Sequence, residues 1–410
     1  MAGSNPYPSD LQVSSDDRHY INNIVIKDDV KETEFREKLR ASIAKKLKYL
    51  EENYDPFKEK YKDVYVGTGG IAMLYFHLAN TYVLGDLPLR DKYLQKSLAL
   101  VQDSLKVIKK CNIAFLHGPA GLYSIGAVAH RKLKHEAESQ EYIHLLIDMF
   151  GNLVKKKPFP SELLYGHSGY LHSLLFVNHH IPGSIPDGLI KDLVTFILKA
   201  GKSAGASLMN CPLSYSWHSK YYIGGAHGMA GIACQLLQVN QDKNPELKPL
   251  LISFIEYIIS VQKTNGNFPS SIESGHRDTL VQFCHGAPGV LPMLCLAKSH
   301  KLGVARLAEA TESAADVTWT RGLLTKGHNL CHGVSGNAYA FLSLFRHTHD
   351  SKYLRQARAF AEWIMDREDT EGTPDNPFSL FEGLAGELYF LADMIDPMKS
   401  AFPCFEIPHN

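Results

Sequence analysis

Apolar residues occur in two kinds of segment along this chain. In the first kind they fill nearly every position for about two helical turns, as in 71–79 (IAMLYFHLA) and 337–345 (NAYAFLSLF). In the second kind they recur at helical spacing opposite charged positions, as in 91–108 and 351–368. The first pattern predicts a helix buried on all sides, and the second predicts an amphipathic surface helix. Because β-type alternation is scarce, we predict an all-α protein.

A short glycine motif precedes each densely apolar segment. Gly-x-x-Gly followed by an apolar run occurs seven times, and successive copies start 47 to 62 residues apart. Such an interval holds two helices of about 12–15 residues and their connections. We therefore predict seven repeats of an outer amphipathic helix, a glycine turn and an inner buried helix. The seven motifs begin at Gly67, Gly118, Gly166, Gly228, Gly286, Gly333 and Gly383.

Seven such units can close into a ring or form an open solenoid. One unit cannot cover its own inner face, and the terminal copies lack the polar character of solenoid caps. We therefore predict a closed α/α toroid, a double barrel of seven inner and seven outer helices. It would form a single domain over 31–410, with 31–54 as a lead-in amphipathic helix and 1–30 as a flexible polar arm.

The glycines themselves are expected to serve the fold in most copies. Glycine allows a positive φ and lets neighbouring chain segments approach closely. Anion binding by free N–H groups at a helix start is the alternative at one or two copies.

Charge and cysteine content narrow the class of protein. Forty-three basic residues balance forty-three acidic ones, so no global field attracts nucleic acid or an anionic membrane. The chain contains no run of about 18 apolar residues, so we predict no membrane span. The first twenty residues lack the basic and apolar blocks of a signal peptide. Seven scattered cysteines suit free or metal-bound thiols in a reducing compartment. We expect a cytoplasmic protein, with peripheral membrane association left open.

The sequence Cys-His-Gly-x-x-Gly occurs in two consecutive units. Alignment on the first glycine places Cys284 and Cys331 at the same position of neighbouring repeats. In a ring all seven turns face one end, so these cysteines should lie side by side at one mouth of the barrel. Two thiolates and an imidazole form a common zinc site with a fourth position open. His285 and His332 are formally equivalent candidates for the imidazole, and buried structural cysteines are the alternative.

A zinc site with two thiolate ligands favours one kind of chemistry. It is a modest Lewis acid for hydrolysis, but it suits an incoming thiol, because coordination lowers the thiol pKa. The pattern therefore indicates thiol alkylation or thiol addition to an electrophile.

Three segments carry a family resemblance: 281–290 (VQFCHGAPGV), 329–342 (NLCHGVSGNAYAFL) and 376–394 (NPFSLFEGLAGELYFLADM). Together with the repeats from about residue 60 onward, they resemble the lanthionine synthetase C family. The match is closest to the eukaryotic LanC-like proteins, which bind glutathione. The resemblance implies a double seven-helix barrel and one zinc ion held by Cys284, Cys331 and His332.

The same resemblance implies contacts to glutathione. Lys326 matches a lysine that touches glutathione in the mammalian-type relatives, and Thr373, Pro374 and Asp375 match a second contact region. Gly372 stands where those relatives have an arginine. This replacement removes a bidentate partner for a carboxylate, which a lysine does not reproduce.

Three further residues are candidates for catalysis. His227 matches a histidine that the bacterial cyclases place near zinc as an acid or base, and the repeat alignment puts it at the same mouth as Cys284. It could protonate the enolate formed by thiol addition, whereas a core imidazole bonded to a backbone carbonyl is the alternative. Glu162 and Arg277 are weaker candidates, which surface charge would also explain.

These inferences give one leading function and one alternative. The leading function is zinc-dependent glutathione S-conjugation, a transferase-type thiol addition to an electrophilic small molecule or a dehydroamino-acid-containing peptide. In it, Lys326 supports the anionic peptide or the enolate, and His227 moves the proton. The alternative is a non-catalytic protein that binds glutathione and zinc for signalling or redox sensing.

Overall fold

The computed structural model describes residues 12–26, 32–81, 87–108, 112–205, 208, 211–367 and 376–408. Regular structure in these ranges consists of fourteen α-helices, a few short 3-10 or π turns and isolated β-bridges. The all-α prediction is therefore confirmed. Over the same ranges, no helix is both long and apolar enough to cross a membrane.

The helices alternate along the chain between an outer and an inner layer. The outer helices are α1 (Glu32–Asn53), α3 (Leu87–Val107), α5 (Glu136–Met149), α7 (Asp187–Gly205), α9 (Leu247–Ser260), α11 (Leu307–Arg321) and α13 (Ser351–Met365). The inner helices are α2 (Thr68–Asn80), α4 (Pro119–Lys132), α6 (His167–His180), α8 (Met229–Leu237), α10 (Ala287–Ser299), α12 (Val334–Thr348) and α14 (Leu384–Asp393). The inner helices are buried on nearly all sides, as their apolar composition requires.

The inner layer closes on itself. Each inner helix contacts the next one along the chain, and α14 contacts α2 to complete the ring. The lead-in helix α1 packs on α14 and α13 through residues spaced three or four apart, from Phe35 to Leu50. The predicted double barrel of seven inner and seven outer helices is confirmed, and the open solenoid is excluded.

The glycine motif permits close packing rather than an unusual backbone angle. A Cβ atom at Gly289 would lie 1.9 Å from the carbonyl oxygen of Phe283, and one at Gly336 would lie 1.9 Å from that of Leu330. Among the first glycines only Gly286 has a positive φ, of 122°. The other six have φ between −98° and −139°, so the expectation of positive φ was wrong for them.

All seven inner helices begin at the same end of the barrel, which we call the N-terminal mouth. Backbone hydrogen bonds join neighbouring turns there: the N–H of Cys284 donates to Cys331 O (3.2 Å), and that of Cys331 donates to Phe381 O (2.8 Å). The N–H of Phe381 donates in turn to Tyr65 O (3.1 Å), which links the last repeat to the first. Seven helix N-termini at one mouth make it favourable for negative charge.

The C-terminal segment 400–408 fills the barrel from the opposite end. Phe402 and Phe405 are fully buried, and the ring of Phe402 stacks on Phe283 with centroids 4.0 Å apart. Glu406 forms a buried ion pair with Arg346 on α12 (2.7 Å). This tail lies outside the repeats, and the sequence pattern did not predict it as part of the core.

Part of the chain assigned to the polar arm lies against the barrel. The N–H of Tyr20 donates to Leu323 O (2.7 Å), and the N–H of Thr325 donates to Arg18 O (3.1 Å). The Tyr20 ring also lies 5.2 Å from Trp363. Residues 12–26 thus contact the segment that leads to Lys326, whereas 1–11 and 27–31 lie outside the described residues.

Candidate metal centre

Two cysteines and one histidine converge at the N-terminal mouth. One ligand atom from each of Cys284, Cys331 and His332 lies within 4.8 Å of the other two. Both cysteines are buried and the histidine is half-buried. The ring places these residues together because consecutive turns are hydrogen-bonded neighbours. His285 is not in this group, and its ring lies 5.5 Å from Tyr222 instead.

The donor set and its surroundings fit a zinc ion. Two thiolates and one imidazole are ordinary zinc ligands, and three protein ligands leave a fourth position open. The Tyr65 hydroxyl donates to Cys331 Sγ (2.8 Å), and Gln282 Nε2 donates to Cys284 Sγ (3.1 Å). Such hydrogen bonds stabilise the negative charge on sulfur and orient the ligands.

The electrostatics of the two sulfurs differ. A hydrogen bond from Cys331 lowers the pKa of Cys284 against the effect of burial, and Gln282 and the charge of Lys326 act in the same direction. The pKa of Cys331 is raised well above its usual value, because its thiol bonds to Cys284 and is buried. Burial lowers the pKa of His332, but the hydrogen bond to Cys331 and the charge of that sulfur together outweigh this effect and raise the pKa.

The other described cysteines behave as core residues. Burial raises the pKa of Cys211 to about 11 and that of Cys295 to about 12. Cys234 and Cys404 are fully buried, and burial raises the pKa of each thiol well above its usual value. Among the cysteines within the described ranges, Cys284 is the one whose pKa is lowered.

His227 and Glu162 form a pair at the same mouth. Nδ1 of His227 lies 2.8 Å from Oε2 of Glu162. The carboxylate of Glu162 is buried and also accepts the backbone N–H groups of Leu164 (2.9 Å) and Tyr165 (2.6 Å). His227 is therefore bound to a carboxylate rather than to a backbone carbonyl, and Glu162 is not a surface charge. This arrangement leaves Nε2 as the ring nitrogen able to exchange a proton with a bound molecule.

The remaining candidates differ in their positions. Lys326 is exposed on the loop before Cys331, and its charge reaches Cys284. Arg277 is exposed on the loop that follows a short 3-10 turn at Ile272–Ser274, where its backbone N–H donates to Ser274 O (2.9 Å). Thr373, Pro374 and Asp375 lie outside the described residues.

Sequence reasoning missed two residues of the centre. Tyr65 donates to Cys331, although 266 positions separate them. The repeat alignment held the signal, because Tyr65 occupies in the first unit the position that Cys284 and Cys331 occupy in theirs. Gln282, two residues before Cys284, had no comparable signal.

Comparison with known proteins places this architecture in a family. A family model described as lanthionine synthetase C-like protein matches residues 59–407. The chain is 40% identical over 354 residues to glutathione S-transferase LANCL1 of Danio rerio, covering 84% of each chain. It is 33% identical over 320 residues to LanC-like protein GCL1 of Arabidopsis thaliana, covering 72% of this chain and 71% of the relative.

A solved structure supports the same fold. Nisin cyclase superposes with a TM-score of 0.61 at 16% identity, covering 89% of this chain and 95% of the cyclase. At that identity the likeness concerns the fold alone. The family match and the two relatives establish that this chain belongs to the lanthionine synthetase C-like family.

Proposed function

We propose that this protein adds the sulfur of glutathione to an electrophilic carbon at a zinc centre formed by Cys284, Cys331 and His332. The observation that carries the proposal is the convergence of these three donors at one mouth of the barrel. A relative that covers most of the chain is named a glutathione S-transferase, which supports the choice of thiol. The fully buried core cysteines could not serve in this way, because no described histidine joins them in a metal-binding group.

The three side chains would hold the zinc ion. When bound, zinc leaves one position for a thiol and lowers the pKa of that thiol. Tyr65 and Gln282 hydrogen-bond the two cysteine sulfurs, so they orient the ligands and share their negative charge. The helix N-termini around the mouth add a positive field that favours an anionic sulfur.

His227 supplies the proton that completes the addition. Its Nδ1 is fixed by Glu162, so the imidazole keeps one orientation and presents Nε2 for proton transfer. When the sulfur–carbon bond forms, Nε2 donates a proton to the adjacent carbon. With a dehydroalanine residue the thiol gives up one proton and the adduct gains one, so the protons balance. With an aryl halide the halide ion leaves as the thioether forms, and the thiol proton passes to solvent.

Binding of glutathione is assigned to the side of the mouth that carries Lys326. Its exposed ammonium offers a partner for a carboxylate of the tripeptide. By resemblance to the family, Thr373, Pro374 and Asp375 provide further contacts, while Gly372 supplies no guanidinium. The unpaired cysteines suit a reducing compartment, and we place the protein in the cytoplasm.

Metal analysis and conjugation assays test this function together. We expect the purified wild-type protein to contain one zinc ion per chain and to convert glutathione and a dehydroalanine peptide, or an aryl halide, to the thioether detected by mass spectrometry. Cys331→Ala should lose stoichiometric zinc and conjugation together. The matched control Cys295→Ala, in the core of α10, should keep both.

Two outcomes would count against the proposal. Retention of one zinc ion per chain by Cys331→Ala would contradict the assignment of the zinc site to Cys284, Cys331 and His332. Binding of glutathione without turnover of either electrophile would remove the enzymatic assignment and favour the non-catalytic signalling or redox-sensing alternative.

A further inference from the structure

An aromatic cleft opens beside the metal centre. It has a volume of about 510 Å³ and lies between segments 159–165 and 217–227. Its wall includes Phe159, Tyr165, Trp217, Tyr222 and His227. A cavity of this size lies within the range of small-molecule sites.

The rings in the wall share an orientation. The Tyr165 and His227 rings are within 3° of parallel, with centroids 6.3 Å apart. Trp217 is inclined by 23° to Tyr165 and by 22° to His227, at 5.7 Å and 6.2 Å. All three side chains are half-buried, so part of each remains open to the cleft. Parallel aromatic faces are suited to stacking with a flat conjugated group.

A strained hairpin holds Trp217 in this position. The backbone N–H of Trp217 donates to Lys220 O (2.9 Å), and that of Lys220 donates to Trp217 O (3.1 Å). The two residues between them, His218 and Ser219, have φ of 46° and 61°. Two-residue hairpins of this kind favour Asn-Gly, because other residues rarely adopt positive φ without cost. Strain retained next to a cleft indicates a functional requirement on the position of Trp217.

The cleft and the metal centre share a backbone contact. A Cβ atom at Gly224 would lie 2.3 Å from the carbonyl oxygen of Cys284, and the N–H of Gly225 donates to Phe283 O (3.2 Å). The segment that carries Trp217 and His227 therefore packs directly on the segment that carries Cys284. His227 belongs to the cleft wall and to the Glu162 pair at once.

The wall of the cleft is uncharged, unlike the side of the mouth that carries the exposed Lys326. No Asp, Glu, Lys or Arg side chain contributes to the cleft wall among the described residues. We propose that this aromatic cleft binds the electrophile, and that it selects an uncharged, flat, conjugated group such as an aryl-substituted enone. The inference rests on the proposed function, because glutathione occupies the Lys326 side and supplies the sulfur.

The addition at this cleft balances without a further reactant. The glutathione sulfur forms a bond to the β-carbon of the enone, and the carbon–carbon π pair moves toward the carbonyl. Nε2 of His227 then donates its proton to the α-carbon. Donation leaves a neutral imidazole, the proton released by the glutathione thiol restores the imidazolium, and no group leaves.

A binding experiment tests the cleft without turnover. The probe is benzylacetone, the unreactive saturated analogue of benzylideneacetone, titrated by calorimetry into zinc-loaded full-length protein. Trp217→Ala should weaken binding about tenfold, on the order expected for the loss of one aromatic stack, and Trp217→Phe should retain most of the affinity. Phe57→Ala, which removes an aromatic ring that is 86% exposed outside the cleft wall, should bind as wild type.

Folding is verified by circular dichroism and zinc content for each variant. Equal affinity of wild type and Trp217→Ala for benzylacetone would overturn the inference, as would absence of binding to the wild type.

A kinetic comparison separates this inference from the proposed function. The reactive pair is benzylideneacetone and its methyl counterpart, ethylideneacetone. Trp217→Ala should raise KM for the aryl enone about tenfold more than KM for the methyl enone, with smaller effects on kcat. Conjugation with unchanged aryl selectivity would refute the cleft assignment and leave the proposed function intact. Tight binding of benzylacetone that depends on Trp217, without any conjugation, would support the cleft assignment and refute the proposed function.

Discussion

The two ends of the barrel are built from the same seven helices but have opposite roles. At the N-terminal mouth, glycine turns and helix N-termini surround Cys284, Cys331 and His332. The segment 400–408 enters the barrel from the other end, and its buried Phe402 and Phe405 fill the interior against Phe283 as an apolar plug. Helix direction explains the difference, because N-termini stabilise thiolates and other anions whereas C-termini do not. One end is therefore suited to chemistry, and the other is available for packing.

The basic residues in the last turns of the inner helices match the direction of the helix dipoles. Basic residues occur in the final turn of several inner helices, where they complement the negative helix end. The lysines and arginines among them are Arg131, Lys132, Lys298 and Arg346. The buried pair of Arg346 with Glu406 shows that the plug uses one of these cations.

The largest expected effect on stability concerns the C-terminal segment 400–408. Phe402→Ala should reduce the free energy of unfolding by about 3–5 kcal/mol, because it leaves a cavity beside Phe283. Urea denaturation monitored by circular dichroism measures the change. Met398→Ala, at an exposed position in the short turn just before this tail, should change it by less than about 0.5 kcal/mol. A loss below about 1 kcal/mol in Phe402→Ala would mean that the tail is not part of the core.

A buried histidine near the plug makes stability depend on pH. His172 in α6 is almost fully buried, and burial lowers its pKa to about 4, while its hydrogen bond with Gln235 partly opposes the shift. The unfolded chain therefore binds a proton between about pH 6.5 and pH 4 that the folded chain does not. The free energy of unfolding should fall as pH decreases through this window, by up to about 1.4 kcal/mol per pH unit from this group.

Substitution isolates the contribution of His172. His172→Gln should reduce the pH slope of the unfolding free energy in denaturation curves collected across the window. His144→Gln, on the exposed face of α5, serves as the matched control. An unchanged slope in His172→Gln would show that this imidazole does not couple folding to protonation.

At the N-terminal mouth, the smallest of the expected effects comes from the loss of one hydrogen bond to Cys331. Tyr65→Phe removes the hydroxyl that donates to Cys331 Sγ, so zinc affinity should fall about tenfold in a chelator competition assay. Tyr170→Phe removes a buried hydroxyl that donates to Leu146 O, outside the centre, and should leave zinc affinity unchanged. Equal affinities in the two variants would exclude a role of Tyr65 in supporting the ligand.

The fold was predictable because one physical unit repeats seven times. Each copy pairs a glycine turn with a fully apolar helix, so the ring follows from periodicity and from the need to cover the inner faces. The position of Cys284 beside Cys331 followed from the same symmetry. The choice between His285 and His332 did not, because symmetry makes them equivalent and only resemblance to the family favoured the second.

Features outside the repeat could not be predicted in this way. Phe402 and Phe405 follow the last unit, so no alignment indicates that their segment turns back into the barrel. The contact between Glu162 and His227 depends on how two turns are oriented, which spacing alone does not specify. The role of the glycines was only partly predicted. Close approach to a carbonyl oxygen excludes a side chain at positions such as Gly289, whereas a positive φ is not the reason there.

The closure of the ring has a consequence for how this protein matures. Tyr65 comes from the first repeat, Cys331 from the sixth, and Phe381, whose carbonyl accepts the Cys331 N–H, from the seventh. A nascent chain still on the ribosome lacks at least one of these partners until the seventh repeat has been synthesised. The proposed metal site is therefore complete, with its supporting hydrogen bonds, only after the seventh repeat has met the first.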